Sequence, residues 1–316
     1  MTAIEAIGGS LPPTTEEFAR RVHAYTLNPN RNPLKEVLDQ SDSVEQTPPL
    51  LGIFNDVAWH HFRENEGHAW AKAGYSWIVN DAEHSQWEGW YGREQNAAQC
   101  RLGLLPVQRL HREARSSYGD VYQLGARASM RPYGTMYEEA EAYFRAINFP
   151  DPGNATSDDR GGYPVRTGDR TMMFTPDDLK SAETETQGWI QFETAEYILN
   201  RELRDRVLDL MAAQGPNKAC AFVGPFDAIL REGDIPEIND AVNELFREAA
   251  KRGVHTGRVV GSGSLEDPKG IEDAMVEAIE NGCRLVCVHP FTSDMVYRGA
   301  AAMAAPFFAA AARCGF

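Results

Sequence analysis

Several short apolar runs of this chain lead into residues that could do chemistry. These residues are carboxylates, one histidine and one arginine: Asp81, Glu83, His84, Arg109, Glu193 and Asp227. Carboxylate oxygens are ligands for hard divalent cations such as Mg²⁺ or Mn²⁺. Arginine presents a planar fork to a carboxylate or enolate oxygen, and histidine exchanges protons near neutral pH. Together the residue types predict metal-assisted enolate chemistry on a 2-oxo acid.

Each of these residues also has a purely structural interpretation. Glu193 directly precedes a predicted helix and could serve its N-terminus. His84 could be an ordinary loop histidine, and Arg109 could pair with any nearby acid. Spacing alone leaves both interpretations open.

A repeated local pattern indicates which elements must position these residues. Five segments consist of an amphipathic stretch, a glycine and a short apolar run, and the glycines are Gly74, Gly125, Gly215, Gly253 and Gly282. A glycine just past a helix adopts the left-handed conformation without steric cost. Short β-rich runs after it indicate buried strands. This alternation predicts βα units and a parallel sheet.

The pattern predicts eight strands and eight helices. The strands are expected near Leu51–Phe54, Trp77–Asp81, Leu104–Arg109, Ala126–Met130, Trp189–Glu193, Ala221–Gly224, Arg258–Gly261 and Leu285–His289. The helices are expected near Trp59–Ala73, Gly89–Gln99, Glu113–Leu124, Tyr137–Ile147, Thr194–Met211, Pro236–Lys251, Ile271–Glu280 and Asp294–Ala312. Eight such units favour a single TIM (β/α)8 barrel over a doubly wound sheet. Catalytic residues of this fold lie at the C-terminal ends of the strands, where the polar residues occur here.

Two segments fall outside the alternation. Residues 1–48 form a predicted N-terminal arm, with a short helix over Thr15–Tyr25 and a polar linker or surface-wrapping stretch from residue 28. Residues 49–316 form the predicted barrel, which carries a long loop at 151–183 that is rich in Pro, Gly and Asp. Long loops of this kind are usually functional or disordered.

Charge and composition limit the partners. A formal charge of −15 disfavours nucleic acid, because phosphate contacts need clustered Lys and Arg. A small anion remains compatible, since one metal and one arginine can reverse the local field. No run is long and apolar enough for a membrane span, and no signal peptide is evident. With five scattered cysteines that suit reduced core thiols, these features predict a cytoplasmic protein.

Five motifs in order resemble the HpcH/HpaI aldolase family, the metal-dependent class II pyruvate aldolases, a wider group that includes macrophomate synthase and citrate lyase β chains. The motifs are GYSWIVNDAEH, PVQR, GARASMRPYGTMYEEAEAYFRAINFP, WIQFETAEYILN and AFVGPFDAIL. Each is weak alone, but the ordered set is specific. The resemblance implies a TIM-barrel lyase that makes or cleaves a C–C bond between pyruvate, held as a metal-bound enolate, and an aldehyde. Its substrate would be a 4-hydroxy-2-oxo acid.

The resemblance also implies roles for the polar residues. Glu193 and Asp227 would hold Mg²⁺ or Mn²⁺, with Co²⁺ as a further candidate. Arg109 would contact the oxo group of the pyruvate unit and stabilise the enolate. His84 would move protons with a metal-bound water, and the two acids that precede it would support it; these are Asp81 and Glu83.

Further implied contacts concern the substrate and the assembly. The pyruvate carboxylate would bind amides near Phe226 in the turn that begins with Gly224 and Pro225, because free N–H groups at a turn into a helix favour anions. The loop after His84 departs from the family pattern, which has smaller residues there; its Trp87 would suit a bulky acceptor, or pack at a subunit interface. The loops after His84 and at 151–183 would lie where the aldehyde enters. The family implies a homotrimer or homohexamer, with the last helix on a neighbour or closing its own barrel.

The motifs leave alternatives open. Oxaloacetate decarboxylation, coupled to addition onto a bulky acceptor, would use the same enolate. Cleavage of an acyl-CoA is less favoured because the predicted rim has no cluster of Lys and Arg to bind its phosphates. A non-catalytic scaffold would keep only the fold.

Overall fold

A computed structural model describes residue 20 and residues 32–55, 64–83, 89–111, 126–132, 136–147, 184–233, 236–262, 267–289 and 300–316. Eight parallel strands form a closed barrel in which each strand pairs with the next and the last pairs with the first. The strands are β1 (Leu50–Asn55), β2 (Tyr75–Asp81), β3 (Leu105–Arg109), β4 (Ala128–Arg131), β5 (Gln187–Phe192), β6 (Ala219–Val223), β7 (His255–Ser262) and β8 (Leu285–His289). The predicted TIM barrel is confirmed, and every predicted strand overlaps an observed one.

The described helices lie mostly between successive strands. They are α1 (Pro33–Leu38), α2 (Glu64–Lys72), α3 (Gly89–Arg101), α4 (Tyr137–Ile147), α5 (Ala195–Leu199), α6 (Arg201–Ala212), α7 (Phe226–Glu232), α8 (Pro236–Lys251), α9 (Pro268–Glu280) and α10 (Ala300–Arg313). The helix predicted over Glu113–Leu124 lies outside the described residues. Within the described ranges, no helix is long and apolar enough to cross a membrane.

The helix predicted over Thr194–Met211 is two helices. Asn200 has an extended backbone with φ −78° and ψ 92°, and it ends α5 while its side chain accepts a hydrogen bond from Leu203 N at the start of α6. Asparagine favours such caps because its short side chain competes for nearby backbone N–H groups. The chain also forms α7, which the sequence did not predict because seven residues are too few to show helical periodicity.

The helix-ending glycines behave as predicted wherever they are described. Gly74, Gly215, Gly253 and Gly282 have φ values of 97°, 103°, 72° and 106°. Gly125 lies outside the described residues. Since this left-handed conformation strains other residues, each of these four glycines sets where a helix stops and the next strand begins.

Large aromatic side chains fill the inside of the barrel. The Trp77 and Trp189 rings meet edge to face with centroids 5.2 Å apart, and Phe222 packs against both. Beside them, a Cβ on Gly52 would lie 2.1 Å from the Trp77 ring, so a larger residue cannot occupy that position without rearrangement. The interior is therefore packed, and substrates must bind above this layer at the end of the barrel.

Residues 32–48 were predicted to be a linker or surface-wrapping stretch, but they help to close the N-terminal end of the barrel. Leu34 and Leu38 of α1 are buried in the same apolar cluster as the interior aromatic residues. Arg284, just before β8, donates hydrogen bonds to the backbone oxygens of Val44 and Glu45, both at 3.1 Å. This part of the arm therefore contributes to the core. The helix predicted over Thr15–Tyr25 lies outside the described residues apart from residue 20.

All five cysteines are free thiols, as predicted. Four of them are buried, and the fifth, Cys314, is partly exposed. Burial raises the pKa of the Cys283 thiol to about 12, so it stays protonated at neutral pH. A protonated thiol is a poor nucleophile, which places Cys283 in the core rather than in the chemistry.

Candidate active site

Inward-pointing side chains at the C-terminal ends of three strands form a polar cluster. Side chains alternate along a strand, so residues two apart share a face. Val79, Val107 and Trp189 lie in the interior cluster, and the inward positions two residues later are polar. The side chains that follow along these strands are Asp81 on β2, Arg109 on β3, and Gln191 with Glu193 at the end of β5.

The guanidinium of Arg109 is the centre of this cluster. Its Nη1 lies 3.1 Å from Asp81 Oδ2, and its Nη2 lies 2.6 Å from Glu83 Oε2 and 3.1 Å from Glu193 Oε2. Its Nε donates a hydrogen bond to Gln191 Oε1 at 2.9 Å. Residues from β2, from the turn that follows it and from the end of β5 thus fix the plane and direction of the guanidinium group.

The cluster is buried and carries excess negative charge. The side chains of Asp81, Glu83, Glu193 and Arg109 are 0%, 8%, 3% and 6% exposed. Burial by itself lowers the pKa of Arg109, but attraction to Asp81, Glu193 and Glu83 outweighs it and raises the pKa above its usual value. With all four groups ionised, three carboxylates and one guanidinium leave a surplus of two negative charges.

Asp81 organises the turn that follows β2. Its Oδ1 accepts a hydrogen bond from Glu83 N at 2.8 Å, while its Oδ2 faces Arg109. An aspartate that binds the backbone two residues on stabilises a tight turn. This turn brings the carboxylate of Glu83 back toward the guanidinium. Asp81 therefore contacts Arg109 itself and also places the Glu83 side chain against it.

A network of buried amide side chains fixes the position of β2 relative to β3. Asn80 Nδ2 donates to Asn96 Oδ1 at 2.7 Å and to Gln99 Oε1 at 2.8 Å, and Gln99 returns a hydrogen bond to Asn80 Oδ1 at 3.0 Å. Gln108 Nε2 donates to Asn80 O at 3.1 Å. Buried networks of this kind specify a single arrangement, here one that sets Asp81 beside Arg109.

The turn from β6 into α7 packs directly against the cluster. Gly224 N donates to Phe192 O at 3.1 Å, and a Cβ on Gly224 would lie 2.8 Å from Gln191 Nε2. Pro225 precedes α7, and Phe226 begins it with its side chain 54% exposed. The backbone of Asp227 lies in the first turn of α7, but its side chain lies outside the described part of the structure.

The structure brings together five residues predicted from the sequence: Asp81, Glu83, Arg109, Glu193 and Gly224. His84 and Trp87 lie outside the described residues. The N-cap of the following helix is Thr194, whose side chain accepts a hydrogen bond from Tyr197 N at 3.3 Å. Asp81 and Glu83, predicted to support His84, both contact Arg109, so their roles must include that arginine.

Two neighbours of the cluster were missed by the sequence analysis. Gln191 lies two residues before Glu193, and this spacing could have placed it on the inward face. Phe54 lies near the end of β1, and the centroid of its ring is 5.6 Å from Arg109 Cζ. The same ring meets the His289 ring edge to face, with centroids 5.7 Å apart. Nothing about a single aromatic residue in an apolar run signals that position.

The loop at 151–183 lies outside the described residues, and the nearest described residues are 147 and 184. Before it, Ile147 at the end of α4 contacts the start of β5, where a Cβ on Gly188 would lie 2.3 Å from the Ile147 side chain. After it, Glu185 accepts a hydrogen bond from Asn32 N at 2.7 Å. Both attachment points lie at the N-terminal end of the barrel, opposite to Arg109.

The donor set of the cluster suits a hard cation. The described carboxylates converge on Arg109, and no group of three His, Cys, Asp or Glu residues among the described ranges is arranged around a metal position. Even so, the donors are oxygens, and the surplus of two negative charges matches one divalent ion. Glu193 is the described candidate ligand, whereas the side chain of Asp227 lies outside the described residues.

Comparison with known proteins gives two sequence relatives, although no protein-family model matches the chain. A hydroxypyruvate/pyruvate aldolase of Roseovarius nubinhibens is 26% identical over 204 residues, which cover 62% of this chain and 72% of the relative. A hydroxypyruvate/pyruvate aldolase of Paraburkholderia phytofirmans is 27% identical over 234 residues, which cover 72% and 82%.

Solved structures share the fold of this chain. An HpcH/HpaI aldolase/citrate lyase family protein from Burkholderia cenocepacia has a TM-score of 0.63 at 23% identity, over 84% of this chain and 94% of that one. The predicted resemblance to HpcH/HpaI aldolases is confirmed. Macrophomate synthase matches with a TM-score of 0.55 at 16% identity, over 84% and 86% of the two chains. At these identities the structural likeness concerns the fold.

Proposed function

We propose that this chain is a carbon–carbon lyase of the class II pyruvate aldolase type. It makes or cleaves the bond between pyruvate, held as an enolate, and an aldehyde, so the joined compound is a 4-hydroxy-2-oxo acid. The observation that carries this proposal is the buried guanidinium of Arg109, held by carboxylates at the catalytic end of a TIM barrel. The two relatives named hydroxypyruvate/pyruvate aldolase support the same reaction class.

A divalent cation would supply Lewis-acid polarisation of the 2-oxo group. Glu193 and Asp227 are the residues proposed to hold Mg²⁺, Mn²⁺ or Co²⁺. The support is chemical: the donors are oxygens, and the described charges of the cluster sum to −2, which a divalent ion neutralises.

Arg109 is proposed to stabilise the enolate oxygen. Its N–H groups can donate to an oxygen that gains negative charge in the transition state, and such charge-assisted bonds are strong in a water-poor site. Asp81 and Gln191 already fix the direction of the guanidinium. Little reorganisation is then needed when charge develops, which is what makes a preorganised donor effective.

Proton transfer completes the proposed cleavage. His84 takes the proton of the 4-hydroxyl group, the electron pair forms the aldehyde carbonyl, and the bond between C3 and C4 breaks. Its electrons pass into the enolate of C2 and C3, which then accepts a proton at C3 to give pyruvate. Amides near Phe226 and Asp227, in the turn that begins at Gly224 and Pro225, would hold the carboxylate. Trp87 would face the acceptor.

The assembly and location are part of the proposal. We expect a cytoplasmic homotrimer or homohexamer. The last helix does not by itself support this assembly: Ala304, Phe307 and Ala310 of α10 are buried in the outer core cluster of their own barrel, and Arg313 pairs with Glu272 of α9 at 2.6 Å. Light scattering on the purified full-length chain measures the oligomeric state directly.

Retro-aldol assays test the reaction. Purified enzyme with Mg²⁺ or Mn²⁺ should release pyruvate from 4-hydroxy-2-oxo acids, and EDTA or Glu193→Ala should abolish this activity. Glu196→Ala is the matched control because Glu196 lies three residues further on and is exposed. Full activity in EDTA or in Glu193→Ala contradicts the metal mechanism. Pyruvate released from oxaloacetate without aldehyde, at a rate above that of every aldol substrate, would favour the decarboxylase alternative.

A further inference from the structure

The described carboxylate and amide partners of Arg109 are unevenly divided among its nitrogens. Nε serves Gln191 and Nη1 serves Asp81, but Nη2 serves two carboxylates, Glu83 at 2.6 Å and Glu193 at 3.1 Å. The contact with Glu193 is a hydrogen bond, whereas Glu83 Oε2 lies close to Nη2 as an ion pair without hydrogen-bond geometry. Glu193, however, is also the proposed cation ligand.

Arg109 would compete for the carboxylate of Glu193 with a cation bound there. Both are positively charged and both use the same oxygen lone pairs, and at close range in a buried site their mutual repulsion is not screened by solvent. Engagement of Glu193 with a cation therefore weakens its contact with Nη2. The N–H released from Glu193 is then free to donate to a substrate oxygen, provided that the guanidinium itself stays in place.

We propose that Glu83 is the positioning residue that keeps Arg109 in place when Glu193 turns to the cation. This inference rests on the proposed function, because it requires a cation at Glu193. Glu83 contacts the nitrogen from which Glu193 withdraws, at the shorter of the two distances. Its own position is set by the hydrogen bond from its N–H to Asp81, so it does not depend on Glu193.

Asp81 offers a matched control within the same cluster. It carries the same charge and binds the same guanidinium, but it does so through Nη1, which Glu193 does not contact. If Glu83 acted only through its charge, Glu83→Gln and Asp81→Asn would weaken cation binding alike. If Glu83 restrains Nη2, its loss lets Arg109 settle on Glu193 and compete harder with the cation. Asn at 81 retains an oxygen that can accept from Glu83 N.

Calorimetric titration of the full-length proteins with Mn²⁺ separates these cases. We expect Glu83→Gln to weaken Mn²⁺ binding roughly tenfold more than Asp81→Asn does, which corresponds to about 1.4 kcal/mol. We expect Arg109→Met to tighten Mn²⁺ binding by about tenfold, and to abolish the difference between the other two variants when it is combined with each. Melting curves check that every variant is folded, and Arg109→Gln, which also removes the charge, replaces Arg109→Met if the latter is not.

The outcomes distinguish this inference from the proposed function. Equal effects of Glu83→Gln and Asp81→Asn overturn the positioning role, as does a difference that persists without Arg109. Weaker Mn²⁺ binding by folded Arg109→Met overturns the competition. If the unmodified protein binds no Mn²⁺ at all, the proposed metal-dependent function fails first, whatever the variants do.

Discussion

Two buried arginines occupy opposite ends of the barrel and are held in opposite ways. At the catalytic end, Arg109 is surrounded by three side-chain carboxylates. At the other end, Arg284 donates to backbone oxygens, and its acceptors are Val44, Glu45, Ile279 and Cys283. Arg109 is held by charged side chains, which can change partners, whereas Arg284 is held by backbone oxygens whose positions are fixed.

Their pKa values shift in opposite directions because the groups around them differ. Burial lowers the pKa of the Arg284 guanidinium and is not offset by its surroundings. Burial also lowers the pKa of Arg109, but its carboxylate neighbours raise it further. Carbonyl oxygens satisfy N–H groups without adding charge, so Arg284 joins segments together. The carboxylates around Arg109 outnumber its single charge, and it is at this site that we propose a further cation. The type of acceptor thus separates a structural arginine from one suited to chemistry.

The largest expected effect comes from Arg109→Lys. Lysine keeps the positive charge but loses the planar fork, so we expect a fall in kcat of roughly 10³-fold, similar to the loss of an oxyanion donor. Deuterium exchange into the methyl group of pyruvate, followed by NMR, measures enolate formation without any aldehyde. Exchange at more than about a tenth of the original rate would contradict the role given to Arg109.

Arg131→Lys provides the control for that measurement. Arg131 is also a buried arginine at the end of a strand, but it pairs with Glu139 at 2.9 Å and donates to Pro132 O at 2.7 Å. Its neighbour Met130 belongs to the interior cluster, so Arg131 points away from the barrel interior. We expect its exchange rate to stay near that of the original protein.

The second effect is on stability at the opposite end. Arg284→Met removes four hydrogen bonds to backbone oxygens, although Val44 O and Ile279 O also accept from Thr47 N and Gly282 N. We expect the free energy of unfolding to fall by about 4 kcal/mol. Urea denaturation measures this change, with Arg247→Met on the exposed face of α8 as control. Mn²⁺ affinity should not change in either variant. A large loss of Mn²⁺ affinity in folded Arg284→Met would show that the two ends are coupled.

The third effect depends on pH. His255 at the start of β7 is 2% exposed, and its Nε2 lies 2.8 Å from Asn217 Oδ1. Burial first, and then the charge of Arg284, lower its pKa from 6.5 to about 4, against a smaller opposing effect of Asp39. Between these pH values the unfolded chain binds a proton that the folded chain does not. Stability is therefore lost as pH falls from about 6.5 to about 4, by roughly 3 kcal/mol in total.

His255→Gln separates this contribution from other acid effects. Glutamine can keep a hydrogen bond to Asn217 but does not titrate, so its unfolding free energy should depend less steeply on pH between about 4 and 6.5. Urea midpoints at closely spaced pH values measure the slope. An identical slope in both proteins would exclude His255 as the source. Mn²⁺ affinity at pH 7 should be the same in both.

The fold was predictable because its signals are local and repeated. A glycine after each of several helices and an apolar run after each glycine give the order of elements, and that order leaves few topologies. The break at Asn200 and the helix α1 were not predictable in this way. Asparagine occurs at many positions without ending a helix, and Leu34 and Leu38 reveal their burial only once the open end of the barrel is formed.

The site was predictable in its members but not in its contacts. Strand-end positions singled out Asp81, Arg109 and Glu193, because parallel strands bring their C-terminal ends together. The sequence does not show which acid faces which nitrogen of Arg109. That pairing depends on strand register and on the turn at Glu83, which are set by contacts distant along the chain.

The smallest effect concerns the spacing between β5 and β6 at the catalytic end. A Cβ on Gly224 would lie 2.8 Å from Gln191 Nε2, so Gly224→Ala must shift the amide that accepts from Arg109 Nε. Only the far end of a flexible side chain has to move, hence we expect the pyruvate exchange rate to fall by about tenfold, or 1.4 kcal/mol, while the urea midpoint changes little.

Gly215→Ala is the contrasting variant: no atom lies within 4 Å of its added Cβ, but its φ of 103° strains alanine. It should lower stability by about 1 kcal/mol and leave exchange unchanged. If Gly224→Ala instead lost stability at a normal exchange rate, Gln191 would belong with the structural contacts of Arg284 rather than with the chemistry of Arg109.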